Sequence, residues 1–305
     1  MSKKTIRIGT RDSELALFQA HTVQKQLNDL GYQTEIIAVK SQGDLVLDKP
    51  IYELGITGIF TKTLDIAMLT GKVDIAVHSM KDVPTALPKG IVEAAVLKRA
   101  NTKDILIHKG TDFLDAEGTI ATGSLRRKSQ WLHRYPTHEV VDLRGNVNTR
   151  MQKLEDSNWN GAIFAAAGLE RIEIKPENFI DLDWMIPAPA QGAMLVVALE
   201  KDEFTRTAIG ALNHYQTDLE VHVEREFLRT LEGGCTAPIG ALAKIDNDNI
   251  LHFKGALFSL DGSQKIEVEK RIAADNVAEF GKFCAKEILA KGGAKLMKQI
   301  KAVLN

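Results

Sequence analysis

Residues 6–31 read IRIGTRDSELALFQAHTVQKQLNDLG, and the hydrophobic period changes within them. Ile6 and Ile8 alternate with polar neighbours, which is the period of a half-buried strand. Beyond Arg11 and Ser13, the apolar residues Ala16, Ala20, Val23, Leu27 and Leu30 recur at spacings of four and three. That spacing draws one face of a helix, with Ser13 placed as its N-cap and Gly31 as its stop. A strand that passes through a short polar turn into a helix is the opening of an α/β sheet.

The alternation continues outward from this segment. Strands are predicted over Thr34–Val39 and Val73–Val77, with a helix carrying Phe60, Leu64 and Ala67 between them. A second run places strands at Ile105–His108, Thr119–Ala121, Glu139–Asp142 and Ala162–Ala165. Pro187-Ala188-Pro189-Ala190 reads as a hinge, because each proline forbids regular continuation. Met194–Leu199 is apolar throughout and calls for a sheet covered on both faces. From Asn213 the style changes. An amphipathic helix over Leu219–Leu231 leads into Glu232-Gly233-Gly234-Cys235, and three short strands follow, the last two joined through the hairpin signal Asp261-Gly262. A terminal helix carries Val277, Phe280, Cys284 and Ile288, giving an α+β unit with an antiparallel sheet.

Composition narrows the function classes. The chain has 305 residues with a net charge of −1, and aromatics are only 6%, so neither a basic footprint nor stacking platforms favour a nucleic-acid partner. No apolar run approaches the ~18 residues of a membrane span. Two cysteines, Cys235 and Cys284, are too few for a disulfide framework or a cysteine-based metal site, and no second histidine stands at metal spacing from His78. MSKKTIRIGT enters a strand pattern at once without an apolar signal segment, so the expected location is the cytoplasm and no metal is expected.

Three features bear on chemistry. Six of the thirteen arginines fall between positions 126 and 171: Arg126, Arg127, Arg134, Arg144, Arg150 and Arg171. Several stand at strand-to-helix turns, in Thr122-Gly123-Ser124-Leu125-Arg126-Arg127 and in Leu143-Arg144-Gly145-Asn146, as Arg11 and Ser13 do in the first unit. Helix N-termini attract anions, and a guanidinium grips a carboxylate with two hydrogen bonds at once. Any single arginine reads equally as a surface ion pair, but as a set they point to a polyanionic ligand. The second feature is His78-Ser79-Met80-Lys81-Asp82-Val83-Pro84 at the end of an apolar strand. Asp82 there reads either as acid, base or cation stabiliser beside Lys81, or as the cap of a short turn. His78 reads as structural. The third is Cys235, in a Gly-rich loop that leaves a thiol accessible, whereas Cys284 sits on an apolar helix face. Taken alone, a loop cysteine is more often incidental than reactive.

As a set, these stretches resemble the porphobilinogen deaminase (hydroxymethylbilane synthase) family along nearly the whole chain. The resemblance runs through Ile8-Gly9-Thr10-Arg11 with Ser13 and Gln19, through Gly43-Asp44, and through Asp74–Pro84. It continues in Ser124-Leu125-Arg126-Arg127, Leu143–Val147 with Thr149-Arg150, and Ala167-Gly168-Leu169 with Arg171. Gln191-Gly192-Ala193 and Leu231–Cys235 with Pro238-Ile239-Gly240 complete it.

The resemblance implies a transferase that joins four porphobilinogen molecules head-to-tail, losing ammonia at each step, on a dipyrromethane cofactor held covalently by Cys235. It implies that Asp82 stabilises the cationic pyrrole, with Lys81 beside it. It also implies that Arg11, Ser13, Gln19, Asp44, Ser79, Lys81, Thr122, Ser124, Arg126, Arg127, Arg144, Arg150, Ala167, Arg171 and Gln191 line the cofactor and substrate site. The implied fold is α/β: two periplasmic-binding-protein-like domains with mixed five-stranded sheets and the cleft between them, plus a small α+β domain with a three-stranded antiparallel sheet. The expected boundaries are 1–98 with 190–209, then 101–187, then 213–305, in a monomer whose partner is porphobilinogen alone.

This chain departs from the family's pattern at Gly55-Ile56-Thr57-Gly58-Ile59-Phe60, where Thr57 replaces the usual lysine. Gly123 replaces a usual serine, and Glu14 a usual proline. A competing reading is a non-catalytic solute-binding or effector-sensing protein on the same fold. It accounts for the anion-binding turns but not for a third unit that presents Cys235.

Overall fold

A computed structural model describes residues 4–40, 61–231 and 237–304. Asp44, the Gly55–Phe60 segment and Cys235 lie outside the described residues. In chain order the first elements are β1 (Ile6–Thr10), α1 (Glu14–Asp29), β2 (Thr34–Ala38), α2 (Lys62–Leu69), β3 (Ile75–Ser79) and β4 (Ile91–Val96). There follow β5 (Asp104–His108), β6 (Thr119–Ala121), α3 (Leu125–Arg134), β7 (Glu139–Val141), α4 (Val147–Asp156), β8 (Gly161–Ala165), α5 (Ala166–Arg171) and β9 (Phe179–Asp181). The last are β10 (Met194–Leu199), α6 (Glu203–Gly210), α7 (Tyr215–Thr230), β11 (Ile239–Ile245), β12 (Ile250–Phe258), β13 (Lys265–Ala273), α8 (Phe280–Ile288) and α9 (Ala294–Leu304).

Among the described residues, 4–40, 61–100 and 192–218 form one compact unit, and 101–191, 219–231 and 237–304 another. In the first, five strands pair in the order β2-β1-β3-β10-β4, with β1 parallel to β2 and β3 and β10 antiparallel to both its neighbours. Strand β10 is buried over Met194–Ala198, as its unbroken apolar run requires. Ile6, Ile8, Val23, Leu27, Val77 and Val196 share the core, so the strand and helix periods of residues 6–31 meet on one interior.

The second unit repeats that sheet in the order β7-β6-β8-β5-β9, again with three parallel strands and an antiparallel neighbour of β8. Matching orders and pairings make the two sheets topological copies, the mixed five-stranded, periplasmic-binding-protein-like arrangement. The same unit carries the antiparallel sheet β11-β12-β13, packed on Phe227, Phe280, Cys284 and Ile288. The β12–β13 hairpin turns through Gly262 at φ +76°, a conformation open to glycine and hostile to most side chains.

Element edges differ from expectation in instructive places. Helix α7 begins at Tyr215, ahead of its apolar face. Val277 precedes α8, and the C-terminal helix breaks where Gly292 takes φ +105° before resuming as α9. Helix α4 opens directly after the Leu143–Asn146 turn, as read, whereas short β9 and helices α5 and α6 carry too few apolar residues for a period to reveal them.

Candidate active site

Strands β1 and β3 are parallel neighbours, with Ile8 opposite Ile75 and Gly9 opposite Ala76. From β1 the chain turns to β2 on one side, while β3 lies on the other, so the sheet order reverses at their carboxyl ends. A crevice opens at such a reversal. Gly9 permits the close approach: a Cβ there would stand 2.9 Å from Val73 Cγ2 and 3.1 Å from the Ile75 carbonyl. The pocket, about 400 Å³ out to open solvent, is lined by Arg11, Ser13, Leu15, Ala16 and Gln19 from one side and by Thr61, Val77, His78, Ser79 and Asp82 from the other.

The lining is organised by buried polar contacts. Gln19, 2% exposed, donates from Nε2 to Ser79 Oγ at 2.8 Å. Thr10 Oγ1 donates to the Ala16 carbonyl at 2.9 Å and ties the β1 exit to α1. Ser13 holds the N-cap position of α1 in extended conformation, makes no side-chain capping bond and lines the pocket. Asp82 ends a single 3₁₀ turn, Met80–Asp82, fixed by Met80 N–H to the Ala193 carbonyl (3.0 Å) and Val83 N–H to the Met80 carbonyl (3.1 Å). Lys81 sits in that turn, half-buried, outside the pocket lining. His78 is 6% exposed. Burial, with Arg11's charge second, pulls its imidazole down to about 4, so it is neutral at physiological pH.

The corresponding reversal in the second sheet lies between β6 and β8. Here the arginine signal meets a residue the sequence reading passed over. Asp104, fully buried at the start of β5, accepts from Arg126 Nη1 (2.8 Å), Arg127 Nε (2.9 Å) and Gln191 Nε2 (3.0 Å). Arg127 Nη2 makes a further ion-pair contact with it at 2.8 Å. Arg126 Nη1 also donates to the Ile186 carbonyl, and Arg127 Nη1 to the Ile163 carbonyl. Both forks are therefore engaged inside the protein. The available signal was a carboxylate placed directly before the apolar run Ile105-Leu106-Ile107.

Two guanidiniums on one carboxylate leave this buried cluster with a net positive charge. Arg126 Nε has no hydrogen-bond partner among the described residues. Burial pulls the Arg126 guanidinium below its ordinary value while Asp104 holds it up. Ser124 caps α3, its Oγ accepting from the Arg127 N–H, and Thr122 Oγ1 accepts from the Ser124 N–H. Asn146 caps α4 through the Thr149 N–H at 2.9 Å. Arg144 is buried beside Asp142; burial pulls its guanidinium down and pushes the Asp142 carboxyl up. Arg150 lies on α4, and Ala167 and Arg171 on α5 after β8, with Arg171 pulled down by burial. Arg134, by contrast, closes α3 at its far end and stacks 5.0 Å over the Trp184 ring.

Comparison with known proteins gives this geometry a family. The model described as porphobilinogen deaminase, dipyromethane cofactor binding domain, matches residues 6–207, and that of the porphobilinogen deaminase C-terminal domain matches 218–290. The chain belongs to the porphobilinogen deaminase family. It is 41% identical over 301 residues to the chloroplastic porphobilinogen deaminase of Oryza sativa, covering 94% of this chain and 84% of the relative. It is also 41% identical to the porphobilinogen deaminase of Chloroherpeton thalassium, covering 90% and 89%. Among solved structures, a periplasmic substrate-binding protein from Coxiella burnetii aligns over 68% of this chain and 91% of its own, at 16% identity and TM-score 0.43.

Family membership makes the protein a transferase of tetrapyrrole biosynthesis that condenses porphobilinogen into hydroxymethylbilane on a dipyrromethane cofactor. The non-catalytic solute-binding alternative is not favoured. The second sheet fits an acidic cofactor: a buried cluster of net positive charge at the N-terminus of a capped helix is stabilised by carboxylates.

Proposed function

We propose that the pocket at the ends of β1 and β3 is the catalytic half of this porphobilinogen deaminase, with Asp82 as its acting carboxylate. One observation carries the reading. Among the described lining residues Asp82 is the sole carboxylate, in a pocket whose cation is Arg11 and whose histidine is neutral. Loss of ammonia from the aminomethyl group moves positive charge onto the pyrrole ring. A carboxylate about 4 Å away at an effective dielectric near 20 stabilises that charge by about 4 kcal/mol. Arg11, Ser13, Ser79 and Lys81 bind substrate carboxylates, and Gln19 holds the Ser79 hydroxyl.

In the second sheet, Thr122, Ser124, Arg126, Arg127, Arg144, Arg150, Ala167, Arg171 and Gln191 form the anion-binding half. Arg126 and Arg127 act there through the field of their cluster with Asp104 more than through free forks. Dipyrromethane, when bound, supplies the pyrrole carbon to which substrate is joined. Cys235 is its attachment point, and Asp44 belongs to the same site. The other thiol, Cys284, is fully buried and pushed up to about 12, which removes it as a nucleophile. We infer three domains (1–98 with 190–209, 101–187 and 213–305), a reading supported by the three separate sheets. A monomer working in the cytoplasm completes the reading.

The test is Asp82→Asn beside Asp82→Glu in cofactor-loaded enzyme. Asn is expected to lower kcat by at least ~100-fold while the fold and cofactor persist, with Glu retaining more. Near-normal turnover by Asp82→Asn would place the cation-stabilising role elsewhere.

A further inference from the structure

We propose that His78 donates a hydrogen bond to the substrate carboxylate held by Arg11, forming the uncharged half of a two-residue clamp. The inference rests on the assignment of this pocket to porphobilinogen. His78 lies near the end of β3, lines the pocket together with Val77 and Ser79, and is only 6% exposed. Its Nε2 has no hydrogen-bond partner among the described residues. An unsatisfied buried ring nitrogen is destabilising unless something that enters the pocket satisfies it.

The chemistry of the lining selects the occupant. Arg11 is the sole guanidinium or ammonium among the described lining residues, so it draws a substrate carboxylate. Arg11 and His78 line the same pocket, and Arg11's charge is second only to burial in its effect on the imidazole. A carboxylate on Arg11 is thus within the neighbourhood of the imidazole. The neutral ring still carries one N–H, and that donor adds to the carboxylate's bonds without adding a second cation.

Steady-state kinetics of cofactor-loaded enzyme with porphobilinogen tests this. His78→Met, which removes the donor, is expected to raise KM about 10- to 100-fold with kcat within about threefold, the signature of lost binding shared by ground and transition states. His78→Gln, which keeps an N–H, should recover most of that rise. Arg11→Met with His78→Met should raise KM by clearly less than the product of the single effects, because one carboxylate serves both. An unchanged KM in His78→Met, a failure of Gln to rescue, or effects that multiply would each overturn the clamp. A loss confined to kcat would overturn it too. Should His78→Met fail to fold, the ¹⁵N-histidine spectrum of the loaded wild type decides. The His78 N–H resonance must move when porphobilinogen is added, and an unmoved resonance rules the contact out. Failure of the pocket assignment itself shows separately, as turnover surviving Asp82→Asn.

Discussion

Substitution of Asp104 by Asn tests the electrostatic account of the second sheet. Asp104 is fully buried and accepts from Arg126 Nη1, Arg127 Nε and Gln191 Nε2 at 2.8, 2.9 and 3.0 Å, with Arg127 Nη2 a further 2.8 Å contact. The amide keeps one acceptor oxygen but turns an N–H₂ toward groups that are themselves donors. It also leaves two buried guanidiniums without a counter-charge. Removing one partner from a buried ion pair costs about 3–5 kcal/mol. With a urea slope of about 2 kcal/mol per molar, a loss of about 4 kcal/mol lowers the midpoint by about 2 M. All three tryptophans, Trp131, Trp159 and Trp184, lie within 101–191, so intrinsic fluorescence reports on this part of the chain. Excess anion should recover part of the loss by filling the electropositive cluster. A midpoint shift below about 0.5 M would refute the idea that Asp104 holds the arginine pair.

Three further perturbations follow from the geometry. His78 stays neutral in the folded protein down to about pH 4, whereas the unfolded chain binds its proton near 6.5. Stability is therefore lost as pH falls from 6.5 toward 4, by about 3 kcal/mol in all, and His78→Gln should flatten that slope in urea titrations across the range. A slope unchanged by the substitution would contradict the assignment. Gly123→Ser restores the residue usual in the family, yet a Cβ there stands 2.6 Å from the Leu143 carbonyl. Thermal unfolding should show a loss of about 1–3 kcal/mol, and a neutral result would mean the turn relaxes freely. Ala190 is a fully buried non-glycine residue at φ +61° whose N–H donates to Glu224 Oε2 at 2.6 Å. Ala190→Gly relieves strain of about 1–2 kcal/mol against an entropic loss of about 0.4–1, so melting should show no net destabilisation. A clear drop in Tm would count against strain at this position.

What the sequence disclosed and what it withheld divide along physical lines. The strand and helix periods of residues 6–31 are local, and so is the Asp261-Gly262 turn; each is written in neighbouring residues and each appears as read. The polar run after the apolar strand at Val73–Val77 placed His78, Ser79 and Asp82 at a strand end, and they line the pocket found there. Arg126 and Arg127 were legible as unusual, but not their engagement with Asp104. That contact spans 22 residues of sequence, and a guanidinium at a helix N-terminus has the same pattern whether it faces a ligand or a buried aspartate. Ser13 and Ser124 make the same point. Both stand at N-caps, yet only Ser124 caps its helix, and no feature of the local sequence distinguishes them.

The central claim is that Asp82 drives porphobilinogen onto a dipyrromethane carried by Cys235, and intact-protein mass spectrometry before and after addition of substrate tests it most directly. The account predicts that purified protein exceeds its sequence mass by one two-ring unit located on the Cys235 peptide. With porphobilinogen it predicts further increments of one pyrrole unit each, while Asp82→Asn keeps the first adduct and gains almost none of the rest. Active wild-type enzyme at its bare sequence mass, or an adduct located on Cys284, would contradict it.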